Sequence, residues 1–127
     1  MSKNEVYQRL RQLLEARSEI SFAYLHGSFI DDVAYHDVDV ALYLEPPAAD
    51  SFDYQMALSV ELTRTLHLPV DVQVLNDTPL GFQHSVLQGE LLFARDEAQL
   101  TDFIEHVGWE YMQFSHHLQD YLEAVTT

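Results

Sequence analysis

The stretch that most constrains this chain runs from Leu25 to Leu44, Leu-His-Gly-Ser-Phe-Ile-Asp-Asp-Val-Ala-Tyr-His-Asp-Val-Asp-Val-Ala-Leu-Tyr-Leu. An apolar run from Ile20 to His26 reads as a strand and closes on the pair Gly27-Ser28. After a short polar segment, Asp37-Val-Asp39 opens a second apolar run that ends at Leu44. Side chains alternate across a strand, so Asp37 and Asp39 project from one side while Val38, Val40, Leu42 and Leu44 project from the other. One side can then enter a core while two carboxylates stand about 7 Å apart, two residues at ~3.3 Å each, aimed at the same point. Like charges held so close repel unless a cation lies between them, and hard oxygen donors suit Mg²⁺.

Periodicity and punctuation place the other elements. Ser2-Lys-Asn-Glu5 is a capping box, and Val6, Leu10, Leu13 and Leu14 behind it predict a first helix to about Arg17. Strand one is Ile20 to His26, followed by a short helical or looped segment over Phe29 to Val33. Strand two, Asp37 to Leu44, stops at Glu45-Pro-Pro because two prolines remove donors and fix φ. Asp50 or Ser51 caps a helix to about Leu66, with Tyr54, Ala57, Leu58, Leu62 and Leu66 as its buried stripe. Val70 to Leu75 alternates as a third strand, with Asp71 and Gln73 on its polar face.

Pro79 starts a short helix that reaches Leu87 and stops at Gly89. Glu90 to Arg95 is a short edge strand, and Asp96 caps a long last helix, about 96–124, with Gly108 as its weak point. That order of elements predicts an α/β (α+β) layer, a small sheet backed by helices, built as one domain over 1–127.

Composition narrows the function. Twenty-one acidic residues against six basic ones give a formal charge of −15. Binding to nucleic acid depends on Lys and Arg neutralising phosphates, so long nucleic-acid substrates are not expected. A basic partner protein or a cationic small molecule suits such a surface, although simple solubility explains it equally well. Without cysteine there is no disulfide, thiol nucleophile or thiolate metal site. No apolar run approaches the ~20 residues that span a bilayer, and a polar N-terminus is no signal peptide, so a cytoplasmic protein with no membrane partner is expected.

Asp71 repeats the logic of Asp37 and Asp39, a carboxylate on the polar side of an apolar strand. Three carboxylates converge if strand three lies beside strand two, which is what two-metal phosphoryl transfer requires. Gly-Ser, a short spacer and Asp-x-Asp at the head of a strand resembles the signature of the DNA polymerase β-like nucleotidyltransferase superfamily. The size, Asp96-Glu-Ala, the aromatic seam of the last helix and Leu118-Gln-Asp-Tyr-Leu-Glu123 resemble its minimal nucleotidyltransferases (MNT), antitoxins of HEPN/MNT toxin–antitoxin pairs.

The resemblance implies a palm-like mixed sheet and a set of roles. Asp37 and Asp39 hold two Mg²⁺ ions. Asp71 binds the nucleophile-side ion and helps deprotonate the acceptor. Gly27 permits close backbone approach, and Ser28 binds the β/γ-phosphates of ATP. The implied function is transfer of AMP from ATP to a tyrosine of a cognate HEPN ribonuclease toxin. HEPN toxins carry Arg-x4–6-His, and no such pair occurs here, which places this chain on the antitoxin side.

Phe29 to His36 is a spacer of eight residues without a basic side chain, where the family usually has ten and often Arg-Gly. The shorter spacer supports an alternative, a weakly active antitoxin that blocks the toxin by contact. A third reading is a small-molecule nucleotidyltransferase of the aminoglycoside type, for which an acidic surface suits a cationic acceptor.

Among the histidines, His106, His116 and His117 lack the i, i+4 spacing of helical metal ligands. His36 is an exposed loop residue or a substrate contact, and His84 has no assignable role. On the last helix Leu100, Phe103 or Ile104, Val107, Tyr111, Phe114, Leu118, Tyr121 or Leu122 and Val125 form one seam. The first half packs on the sheet, and Tyr111 to Val125 is a candidate surface for a partner or for self-association into an oligomer.

Overall fold

The computed structural model describes residues 1–27 and 37–126. Eight elements follow in order: α1 (Lys3–Glu15), β1 (Ile20–His26), β2 (Val38–Leu44), α2 (Ser51–Leu66), β3 (Val70–Val74), α3 (Leu80–Leu87), β4 (Glu90–Ala94) and α4 (Glu97–Thr126). The expected segment over Phe29 to Val33 lies outside the described residues. The four strands form one sheet in the order β3-β2-β1-β4. β1 pairs antiparallel with both β2 and β4, while β2 and β3 run parallel, so the sheet is mixed. No described helix is long and apolar enough to cross a membrane.

Alternation splits the strands into two apolar faces, and both are covered. Val6, Leu10 and Leu14 of α1 and Leu58, Leu62 and Leu66 of α2 pack on Ala23, Leu25, Val40, Leu42 and Val72. On the other face Val86 of α3 and Leu100 of α4 meet Phe22, Tyr24 and Ala41. Phe22 stacks on Tyr43 at 5.1 Å between ring centroids, and Phe103 of α4 closes on both, at 5.3 and 5.5 Å. Burying an aromatic side chain contributes about 1.5–3 kcal/mol, so this trio fixes how the first turns of α4 sit on the sheet.

Ser2 caps α1, accepting from the Glu5 amide at 3.2 Å and donating its hydroxyl to Glu5 Oε1 at 3.2 Å. α1 nonetheless stops at Glu15 rather than Arg17. The Arg95 guanidinium donates to the carbonyls of Glu15 (2.6 Å), Arg17 (3.1 Å) and Ile20 (3.1 Å), satisfying the helix end and turning the chain into β1. Arg95 itself falls just outside β4, and α4 continues to Thr126. Asp37 stands immediately before β2 instead of opening it, because the ladder begins where the Val38 amide donates to the Pro69 carbonyl at 3.0 Å.

Ala57 is exposed, outside the expected stripe of α2. The neighbouring stripe, Gln55, Ser59 and Thr63, faces β3, the open edge of the sheet. Their side-chain oxygens accept from the amides of Val74 (2.8 Å), Val72 (3.0 Å) and Val70 (3.0 Å). Unpaired edge amides invite association with other chains, and here a helix takes all three. Ser59→Ala leaves the part-buried Val72 amide without its acceptor. It is expected to cost about 1 kcal/mol in urea unfolding with an unchanged m-value; an unchanged midpoint would mean that water serves that amide equally well.

Candidate active site

The sheet register builds the site. His26 lies opposite Asp39 across the β1/β2 pair, and Asp39 lies opposite Asp71 across the β2/β3 pair. Paired residues point to the same face, so these three form a row over adjacent strands spaced about 4.8 Å. Asp37, two residues before Asp39, has the same parity. The row occupies the end of the face that α3 and α4 cover further along, beyond Tyr24 and Ala41. Asp37 and Asp71 are exposed and Asp39 is half-buried. Gln73, next along the polar side of β3, donates to Asp71 Oδ2 at 3.4 Å.

Burial pushes the Asp39 carboxyl above its ordinary range; Asp37 adds to the shift, His26 opposes it and Asp71 adds again. Burial lowers His26, against the pull of Asp39 and Asp71. The His26 ring meets Phe82 of α3 edge-on at 5.8 Å, and its buried Nε2 has no hydrogen-bond partner among the described residues. Gly27 follows with φ +76°, a conformation that side chains disfavour. A Cβ built there would lie 2.3 Å from Asp39 Oδ2. The backbone thus approaches the central carboxylate as closely as only glycine permits.

Of the residues singled out in the sequence, Asp37, Asp39 and Asp71 come to one end of one face, with Gly27 against Asp39. Ser28 and His36 lie outside the described residues. His26 was not anticipated. Its signal was its parity with Phe22 and Tyr24 on β1, which becomes meaningful only once the register sets it opposite Asp39. His106, His116 and His117 are exposed on α4, and His84 stacks on Tyr111 at 3.6 Å.

Among the described residues no group of three or more His, Asp or Glu side chains is drawn together as a finished cage for an ion. Mg²⁺ seldom uses such a cage; it is held by one or two carboxylates together with substrate phosphates and water. Half-buried Asp39, with Asp71 beside it and exposed Asp37 on the same face, offers hard oxygen donors of the kind that ion takes.

The family model described as "Polymerase beta, Nucleotidyltransferase" matches residues 8–98, which contain the entire row. No curated protein matches the sequence. Solved structures match over nearly the full length. One is a chain from tri-AMPylated Shewanella oneidensis HEPN toxin in complex with MNT antitoxin. Its TM-score is 0.74 at 19% identity, covering 98% of this chain and 99% of that one. A chain from a toxin–antitoxin structure with AMP-PNP gives a TM-score of 0.75 at 18% identity, covering 95% and 98%. A chain from the toxin–antitoxin MntA-HepT gives 0.72 at 17% identity, covering 98% and 99%. At such identities the likeness is one of fold.

Two outcomes test this geometry. Because the folded pKa of Asp39 is raised, its ionised form opposes folding, and stability falls as pH rises through that pKa. Without metal, Asp39→Asn should raise Tm at pH 7 by a few degrees, where 1 kcal/mol is roughly 4 °C. The gain should shrink towards pH 4, and a lower Tm at pH 7 would refute the assignment. Gly27→Ala should cost at least about 1–2 kcal/mol for the left-handed backbone alone. It should also displace the Asp39 carboxylate, seen as a changed Asp39 resonance in carboxyl NMR; an unmoved resonance would contradict the close approach.

Proposed function

The chain belongs to the polymerase beta nucleotidyltransferase family, and from that premise we propose that it is an antitoxin that transfers AMP from ATP to a tyrosine of a HEPN ribonuclease toxin. The observation that carries this reading is the register that sets Asp39 beside Asp71, with Asp37 at the open end of the same face. The likeness in fold to structures of MNT antitoxin with AMPylated toxin, and of a toxin–antitoxin with AMP-PNP, supports the acceptor and donor.

Each residue has a task. Asp37 and Asp39 would hold two Mg²⁺ ions, Asp71 the one beside the nucleophile; when bound, such ions neutralise the triphosphate and ease ionisation of the acceptor. Gly27 brings the backbone to the site, and Ser28 binds the β/γ-phosphates with its amide and hydroxyl. The tyrosine oxygen attacks the α-phosphorus and a new O–P bond forms. The bond from the α-phosphorus to the bridging oxygen breaks, pyrophosphate leaves, and Asp71 takes the hydroxyl proton. Asp37 and Asp71 are exposed, which suits an acceptor presented by another protein rather than a buried small molecule. The eight-residue spacer favours a second reading, neutralisation by contact without transfer.

Incubation with labelled ATP, Mg²⁺ and the protein encoded by the adjacent gene, followed by intact mass, separates the two. AMP should add to that protein, and at least about 100-fold less should add with Asp37→Ala plus Asp39→Ala, the scale expected when preorganised charge stabilisation is lost. Binding and inhibition of the partner with no change of mass would leave contact as the whole mechanism.

A further inference from the structure

The stripe that seats α4 on the sheet does not end where the sheet ends. Leu100 and Val107 are buried and Phe103 is half-buried under the apolar face. The same stripe continues through Tyr111, half-buried against His84, to Phe114, Leu118, Tyr121, Leu122 and Val125. At 100° per residue these later positions fall within about 60° of Val107, on one side of the helix. Every residue from 114 to 126 is exposed, Phe114 at 54%, Leu118 at 46%, Tyr121 at 65%, Leu122 at 49% and Val125 at 60%. Thirteen residues of helix, about 20 Å at ~1.5 Å each, thus carry an ordered apolar stripe that the protein's own core does not cover. An ordered patch of this kind marks an interaction site.

Charge selects the occupant. α4 contains Glu97, Asp102, Glu105, Glu110, Asp120 and Glu123 and no Lys or Arg. The carbonyl end of a helix already carries partial negative charge, and its last turn here has no basic residue to offset it. A second copy would bring the same acidic helix, with a formal charge of −15 on each chain, so association between copies meets repulsion. Nucleic acid and anionic membranes are disfavoured for the same reason.

We propose that the Phe114–Val125 stripe is the docking surface of α4, and that its occupant is a basic partner protein presenting an apolar groove. This deepens the proposed function and rests on it in one respect: the toxin is the partner that the helix grips. The stripe serves affinity, and the acidic flanks and helix end serve approach. The stripe contains none of the residues of the carboxylate row, so docking and transfer are read out separately.

The test compares Leu118→Glu plus Leu122→Glu with Gln119→Glu, which adds negative charge to the same helix away from the stripe. The binding probe is the purified product of the adjacent gene, titrated at two salt concentrations, with intact mass after Mg²⁺ and ATP as a parallel readout. The double variant should lose at least about 30-fold in affinity, as for central interface anchors, while keeping its Tm; Gln119→Glu should bind within about threefold of wild type. Wild-type association should slow as salt rises. Unchanged affinity in the double variant overturns the proposal even if AMP transfer proceeds. So does a wild-type chain that fails to bind the probe, or one that self-associates through this stripe at micromolar concentration. Loss of binding in the double variant with no AMP on the wild-type complex supports the docking surface and refutes the transfer reading instead.

Discussion

The parallel pairing of β2 with β3 is the contact on which the rest depends. Parallel neighbours need a crossover, here α2, and a slip of one residue would turn Asp71 into the core and a valine out of it. The register is pinned at both ends. At one end the Val38 amide donates to the Pro69 carbonyl at 3.0 Å. At the other, Asn76 donates to the Leu44 carbonyl at 2.8 Å and accepts from its amide at 2.9 Å, while the Leu75 amide donates to Leu42 at 2.8 Å. Along the outer edge Gln55, Ser59 and Thr63 hold β3 from the side that has no strand. A local geometry of two strands and a helix thereby sets two distant carboxylates side by side.

That placement has a cost in stability. Asp39 is partly removed from water next to Asp37 and Asp71, and burial and like charge both disfavour its ionised form. His26 offsets a part of this, while its own protonation is opposed by burial. A chain selected for stability alone would place an apolar or neutral side chain at this position. The close fit of Gly27 on the same carboxylate points the same way, since a positive φ and a missing side chain both spend chain entropy to let the backbone approach. A backbone conformation open to glycine and an unfavourable cluster of charge gather at one end of the sheet, the pattern of a functional site.

α4 shows one sequence pattern in two environments. Its apolar stripe is uniform from Leu100 to Val125, yet only the part from Leu100 to Tyr111 finds cover, on the sheet and on α3. The physical difference is the extent of the sheet. Four strands offer an apolar face that the first turns of the helix already fill, so the later turns stand clear of it.

Much of this was legible along the chain because it depends on short-range rules. An apolar run marked β1, alternation marked β2 and β3, prolines and glycines marked strand ends, and Ser2 to Glu5 marked the start of α1. The parity of Asp37, Asp39 and Asp71 on their strands was likewise local, as was the acidic balance. The end of α1 was not, because Arg95, far away in the chain, supplies the donors that terminate it. Neither was the exposure of Ala57, since the edge of β3 decides which stripe of α2 turns inward. His26 entered the site only through the register opposite Asp39, a relation between strands that no single segment encodes. Sequence by itself determined which side chains share a face within each element, through the fixed periods of helix and strand. Tertiary structure alone decided which faces meet, because strand order and register are set by packing summed over the whole core.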